Sequence, residues 1–352
     1  MTGSAGLPSE ATVRGRHGRD GGSDPRSGAA ADLREAAFGA TPQNVPVGSA
    51  DPELRWLTAV ALGGQGHYAA AATVLACLAA DPCVPVRVAA HAAVTRAAHL
   101  RQLGGHAAAR AYDAHGLRLA TAALRAGESG RQAVTPIELD HVARGRPRDD
   151  GLDAAAARLD ALIGLAADAV GLGDPATCRR LLDVVGEGLE GHPSWRPAVR
   201  AGWVRAELAL IQGHAGDAVT PAAAALAAAT RAGAVRHVLK SRIVLVVARG
   251  AAGVLDPAEG VADLDAIAVE CARYGLHPLR WPAALAAADL QERINEQVAW
   301  PAESALGGQL NGATRRRHAA RVALNVIESR SDPLGKRQMG ESVWIPRPVT
   351  LM

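Results

Sequence analysis

The chain is 352 residues long, 49% hydrophobic and only 3% aromatic, with a formal net charge of +3. Alanine carries much of the apolar count; it has the best intrinsic helix propensity and β-branched runs are few, which points away from a sheet-built core. The longest β-branched run, Ile243-Val244-Leu245-Val246-Val247, falls short of the roughly 20 apolar residues that a bilayer span needs. With no apolar signal-peptide core at the N-terminus either, the expectation is a cytoplasmic protein with no membrane partner.

Charge is spread unevenly. Residues 1–50 carry five arginines and five acids, residues 301–352 carry eight basic residues against four acids, and the stretch between is nearly balanced. The body lacks the basic excess of a phosphate-binding surface, so no nucleic-acid partner is expected. Cys77, Cys83, Cys178 and Cys271 are scattered and form no Cys-x-x-Cys pair, which suits small buried apolar side chains better than disulfides or metal ligands.

In chain order, residues 1–50 are rich in Gly, Ser, Pro and Arg, with Phe38 the single aromatic. They read as a disordered tail in which Asp32 to Ala37 forms at most a transient helical turn. Structure is expected to begin at Asp51-Pro52-Glu53, an N-cap followed by proline at the first helical position. Leu54, Leu57, Ala61 and Leu62 give a short apolar face before Gly63-Gly64-Gln65-Gly66. A second helix follows from about His67 to Ala80. In it, Gly66, Tyr68, Ala71, Leu75 and Leu78, closing at Asp81-Pro82, resemble the second helix of a tetratricopeptide repeat. That resemblance implies a close helix contact at Ala71, with the larger residues filling the space between repeats. Trp56 lies near the family's tryptophan position, while the Leu-Gly pair expected after it is absent.

Further pairs follow. Val86 to Leu103 and His106 to Arg125 form one; residues 126–150, with Gly127, Gly130, Pro136, Gly145 and Pro147, then break the array, and Ile137-Glu138-Leu139 is read as one turn inside that loop. Leu152, Ala155, Leu159, Leu162, Ala166 and Val170 make an apolar stripe, and the next helix holds Leu181, Leu182, Val184, Val185 and Leu189. Leu162 and Leu182 are expected between helices. Trp195, Val199, Trp203, Ala206 and Leu210 then share one helical face, read as core, while Arg196, Arg200, Arg205 and Glu207 take other faces. The partner of that helix, Ala218 to Arg231, is too poor in large side chains to make a core alone. Val235 to Ala252, Pro257 to Tyr274 and Leu279 to Gln297 complete the helical body.

The second helices of the pairs start at His67, His106, Pro175, Gly216 and Pro257. With the break set aside they recur about every 40 residues, within the range of helical-pair solenoids. The expected fold is all-α: antiparallel helix pairs stacked as a tetratricopeptide-like α-solenoid over 51–125 and 151–299. A disordered N-terminal tail precedes it and a terminal region, 300–352, follows. In that region Thr314 to Ser329 reads as a helix opened by Arg315, Arg316 and Arg317, whose charges oppose the macrodipole and do not look placed for helix stability. Ser331 to Met352 reads as extended, with Trp344-Ile345-Pro346 as an apolar plug. Trp344, Ile345, Arg315, Arg316 and Arg317 are the candidate interaction residues, and the plug is expected to dock on its own array ahead of a partner.

Catalytic signals are lacking. His91 and His99, eight apart, with His106 beyond the turn, do not have metal-ligand spacing. Gly63, Gly64 and Gly66 have no strand before them and no Gly-Lys-Ser/Thr after them, so they read as an interhelical turn. Neither a Gly-x-Ser-x-Gly elbow nor a Cys-His setting is present, and Asp149-Asp150 sit in the broken loop. No catalytic, cofactor or metal residue is nominated. The first functional reading is a scaffold that binds a protein or peptide on a concave face. The alternative is a regulatory sensor binding a small ligand between helices, and an enzyme of unrecognised type comes third.

Overall fold

The computed structural model describes residues 25–45, 48–127, 150–297 and 312–346, which form fourteen α-helices and, among the described residues, no strand. Helix α1 (Pro25–Phe38) precedes five pairs: α2 (Pro52–Gly64) with α3 (Tyr68–Ala80), α4 (Val86–Gln102) with α5 (His106–Arg125), α6 (Ala154–Gly171) with α7 (Pro175–Leu189), α8 (Trp195–Ile211) with α9 (Ala215–Arg231), and α10 (Val235–Ala251) with α11 (Pro257–Arg273). Then come α12 (His277–Gln297), α13 (Gly312–Ser329) and α14 (Pro333–Glu341). Aspartate-proline starts set many of these boundaries. Asp51, Asp174, Asp256 and Asp332 each accept backbone N–H bonds of the first turn, with proline at the helix start. Such caps satisfy donors that have no intrahelical partner.

Consecutive helices pack on each other, and the first helices of successive pairs also touch: α2 with α4, α4 with α6, α6 with α8, α8 with α10, α10 with α12. That second set of contacts makes α2, α4, α6, α8, α10 and α12 an inner layer, the arrangement of a stacked helical-repeat array. Small side chains let the layers approach: Ala206, Ala218, Ala222 and Ala248 form one fully buried cluster, and Ala90, Ala120 and Ala157 another. Leu162 and Leu182 are buried in the α6–α8 core as expected. Cys178 and Cys271 are buried, whereas Cys77 and Cys83 are exposed.

Two expectations are corrected. Residues 1–50 are not a tail throughout, because α1 is folded with Leu33, Ala36, Ala37 and Phe38 all buried. Leu33, Ala36 and Ala37 recur on one helical face and Phe38 closes the helix, a pattern which the polar composition around them masked. Residues 1–24 lie outside the described residues, as do 128–149, including the turn expected at Ile137-Glu138-Leu139, and 298–311. Ser331 to Met352 is not extended throughout either: Asp332 caps α14, its Oδ1 accepting from Gly335 N at 3.2 Å. The residues after Pro346 lie outside the description.

The ends of the array return to its middle. Helix α1 packs on α2 and touches α10, with Val235 N donating to Gly39 O at 3.1 Å. From the other end, Ala69 N donates to Arg330 O at 2.8 Å and Arg96 Nη2 to Asp332 Oδ2 at 2.6 Å. Tyr68 and Leu103 share a buried cluster with Leu324, Ile327, Met339 and Ile345. The inner layer therefore surrounds a central pocket. Among the described residues no helix is long and apolar enough to cross a membrane.

Candidate functional site

The centre of the array is a cavity of ≈520 Å³. Helix α2 presents Val60, Gly63 and Gly64 to it, α4 presents His91, Val94 and His99, and α6 presents Asp160 and Ile163. Helix α8 adds Arg196, Arg200, Trp203 and Glu207, α10 adds Arg236, His237 and Lys240, and Phe38 and Tyr68 complete the wall. Positions 196, 200, 203 and 207 lie on one stripe of α8, and 236, 237 and 240 on one stripe of α10. These polar residues thus point inward from successive first helices.

The wall is built closely. A Cβ at Gly63 would fall 1.9 Å from His99 Nε2, so only glycine lets the imidazole lie against α2. Aromatic rings gather around His237: Trp203 stacks on it at 5.6 Å and 18°, Trp195 meets it edge-on at 4.8 Å, and Phe38 lies 6.1 Å away. Trp203 Nε1 donates to the buried Ser241 Oγ at 2.8 Å, which fixes the indole. Trp203 is thus core, as expected, and wall at once.

Charge in this interior is organised in two clusters. Asp160, 1% exposed, binds Arg196 Nη2 at 2.8 Å and also Arg200. Arg101 bonds both Asp113 and, at 3.1 Å, Asp168, two carboxylates with no exposed surface. Burial pushes the Asp113 carboxyl up to about 7 despite Arg101, with Asp168 adding to the rise. Burial and nearby arginines push His91 down to about 4 and His99 down to about 3, and hold His237 well below its ordinary value. All three are neutral at pH 7. Burial, chiefly, lowers Arg236 to about 10 and lowers Lys240 as well.

No family model matches this chain, and no curated protein matches it. Among the described residues no group of three or more His, Cys, Asp or Glu is placed to hold a metal ion. What the cavity can do chemically is bind: it combines flat rings, cationic groups and neutral imidazoles in one pocket.

The candidate residues from the C-terminal region fall in two places. Ile345 is buried among Tyr68, Leu103, Ile327 and Met339, and Ser342 sits against Gly104, where a Cβ would lie 1.9 Å from Ser342 Oγ. The φ of Gly104 is +73°, so both backbone and space at that turn require glycine. The plug therefore docks on its own array, with Ile345 as its buried half. Trp344 is 55% exposed, lies on the cavity rim and donates from Nε1 to Gly171 O at 3.3 Å. Arg316 chelates Asp265 of α11 at 2.6–3.2 Å, and Arg317 binds Glu292 and Asp289 of α12 at 2.6–3.0 Å. Arg315 is exposed, and none of the three lines the cavity. Arg316 and Arg317 are thus tied down by carboxylates of two other helices. Ile345→Ala is expected to cost about 2–5 kcal/mol, as for a buried aliphatic truncation. Trp344→Ala should stay within about 1 kcal/mol, because half of its ring is already in water. Urea denaturation of both variants checks the pair; equal losses would mean that Ile345 does not anchor the strap.

The cavity residues were missed because the tryptophan stripe was read alone. The available signal was Arg196, Arg200 and Glu207 in line with Trp203, and a second polar stripe, Arg236 and Lys240, one pair later.

Proposed function

We propose that this protein is a regulatory sensor that binds a small molecule between its helices and has no catalytic step of its own. The single observation that carries the reading is the central cavity, whose volume of ≈520 Å³ falls within the range of roughly 300–1,000 Å³ usual for small-ligand sites. Three buried polar atoms on its wall support it: among the described residues Tyr68 Oη, His99 Nδ1 and His237 Nδ1 meet no hydrogen-bond partner. Such atoms are uncommon in a finished interior and are natural contacts for a ligand or its water. Trp344 touches both the cavity rim and the turn after α6, so a ligand reaching the rim would bear on the C-terminal strap.

One finer point belongs to the same proposal. The array is tetratricopeptide-like, supported by the burial of Tyr68, Ala71, Leu75 and Leu78 at the resembling positions.

The test uses N-phenyl-1-naphthylamine, a flat neutral fluorophore. It should bind saturably with enhanced emission, and Ala98→Trp, which puts an indole into the cavity, should weaken binding by about tenfold or more. Dye binding that Ala98→Trp leaves unchanged, or no binding at all, overturns the reading.

A further inference from the structure

We infer that the ligand is a small organic anion, its acidic group seated on Arg236 and Lys240 and its flat body lying against Trp203 and His237. The inference rests on the sensor reading above and adds the chemical class of what is bound.

It starts from the partners of each cation. Arg196 and Arg200 share one directly bonded carboxylate, Asp160, with the charges of Asp150 and Asp153 also acting on Arg196. Among the described residues Arg236 meets no carboxylate; its hydrogen bond is a long one, 3.4 Å from Nη1 to Val60 O. Lys240 has no ion pair either, and its Nζ rests over the Trp203 ring at 4.4 Å. Glu207, the one remaining acid of the wall, makes no hydrogen bond or ion pair with either among the described residues, though its charge favours the protonated Lys240. Arg236 and Lys240 are four apart, on one face of α10, where like charges repel. Burying a cation without a counter-charge costs several kcal/mol, so an apolar pair would serve the fold better there. The space left for Arg236 is specific, since a Cβ at Gly64 would come within 3.0 Å of its Nη1. Burial lowers both proton affinities, and Arg236, lowered to about 10, stays charged at neutral pH. An entering anion would supply the missing counter-charge in a water-poor site, where charge-assisted hydrogen bonds are strongest.

The other half of the ligand follows from the rings. Trp203 is held by Ser241 and covered on one side by His237, and neutral His237 keeps Nδ1 without a partner. A fixed aromatic wall beside two cations fits a planar body bearing one acidic group, carboxylate or phosphate alike.

The test compares two dyes of nearly one shape, neutral N-phenyl-1-naphthylamine and 8-anilinonaphthalene-1-sulfonate, which adds a sulfonate. The sulfonate is expected to bind about tenfold or more tightly than the neutral dye. Arg236→Gln and Lys240→Gln should each remove most of that advantage while shifting the neutral dye by about twofold or less. Displacement by 2-naphthoate, 2-naphthyl phosphate and 2-naphthol separates the acidic groups: an acid that outcompetes 2-naphthol about tenfold supports the inference, and the better acid names the headgroup. Melting provides a second measurement, since both glutamine variants should melt at or above the parent's temperature. If Ala98→Trp blocks the neutral dye but the sulfonate gains nothing, the anion inference fails and the sensor reading stands. If neither dye enters, both fail. A drop of more than about 5 °C in both glutamine variants would make the two cations structural and overturn the inference.

Discussion

Lowering the pH from 7 to 5 is expected to remove about 3 kcal/mol of stability, well before the carboxylates outside the cavity titrate. The cause is three buried histidines. His91 and His99, held down at about 4 and about 3, and His237, held well below its ordinary value, stay neutral in the fold across this window. In the unfolded chain each titrates near 6.5 and takes up a proton as the pH falls. The unfolded state then binds more protons, so stability is complete above about 6.5 and declines toward 5. His91 and His99 each contribute about 2 kcal/mol to the loss, and His237 adds to it in the same direction. Asp113 works the other way. Its folded carboxyl, raised to about 7 chiefly by burial, takes a proton that the unfolded chain declines until near 3.8, returning about 2 kcal/mol. Urea denaturation at pH 7, 6 and 5 measures the sum. His237→Phe, which keeps the stack on Trp203, should flatten the profile. A flat profile in the parent would mean that these imidazoles reach water or carry charge in the fold.

The same residues show what the sequence could and could not convey. Helix starts were legible because Asp-Pro pairs at 51–52, 174–175 and 256–257 act through local backbone bonds that need no tertiary context. The pairing of helices was legible because glycine turns and apolar stripes are local signals too. Helix α1 was not, since it is held by Leu33 and Phe38 meeting α2 and α10, a contact made across the whole array. The cavity was hidden for a related reason. A periodicity argument that starts from Trp195 and Val199 puts Arg196 and Arg200 on other faces, yet in a curved array the inner face of a first helix meets charge partners from other helices. Asp160 is the partner here, and it lies 36 positions upstream of Arg196 (196 − 160). Docking of the C-terminal plug was legible from its apolar character. Which of Trp344 and Ile345 turns inward was not, because that depends on where Gly104 leaves room for Ser342.

Asp160→Asn is expected to be the most damaging single substitution in the inner layer, at about 3–5 kcal/mol. Burial alone would push this carboxyl up, yet Arg196 and Arg200 hold it below the usual carboxylate range, so it is charged at neutral pH. Neutralising it leaves two guanidinium groups with no counter-ion, one of them 5% exposed. Arg196 cannot swing out to water, because Nη2 also binds Gly151 O at 2.8 Å and the guanidinium lies over Phe38 and Trp56 at 5.0 and 5.5 Å. Removing one of the stranded cations should then help: Asp160→Asn with Arg196→Met is expected to be more stable than Asp160→Asn alone, and urea denaturation of the four-member cycle measures the coupling. A single-variant loss below about 1 kcal/mol would show that the cluster is solvated and not sealed by the helices around it. Where Asp160→Asn still folds, the surplus positive charge of the cavity rises by one, and the sulfonate dye should bind more tightly while the neutral dye does not change. Stability and anion affinity would then move in opposite directions at one residue, as expected if Asp160 holds the arginines in place at the expense of the charge they offer a ligand.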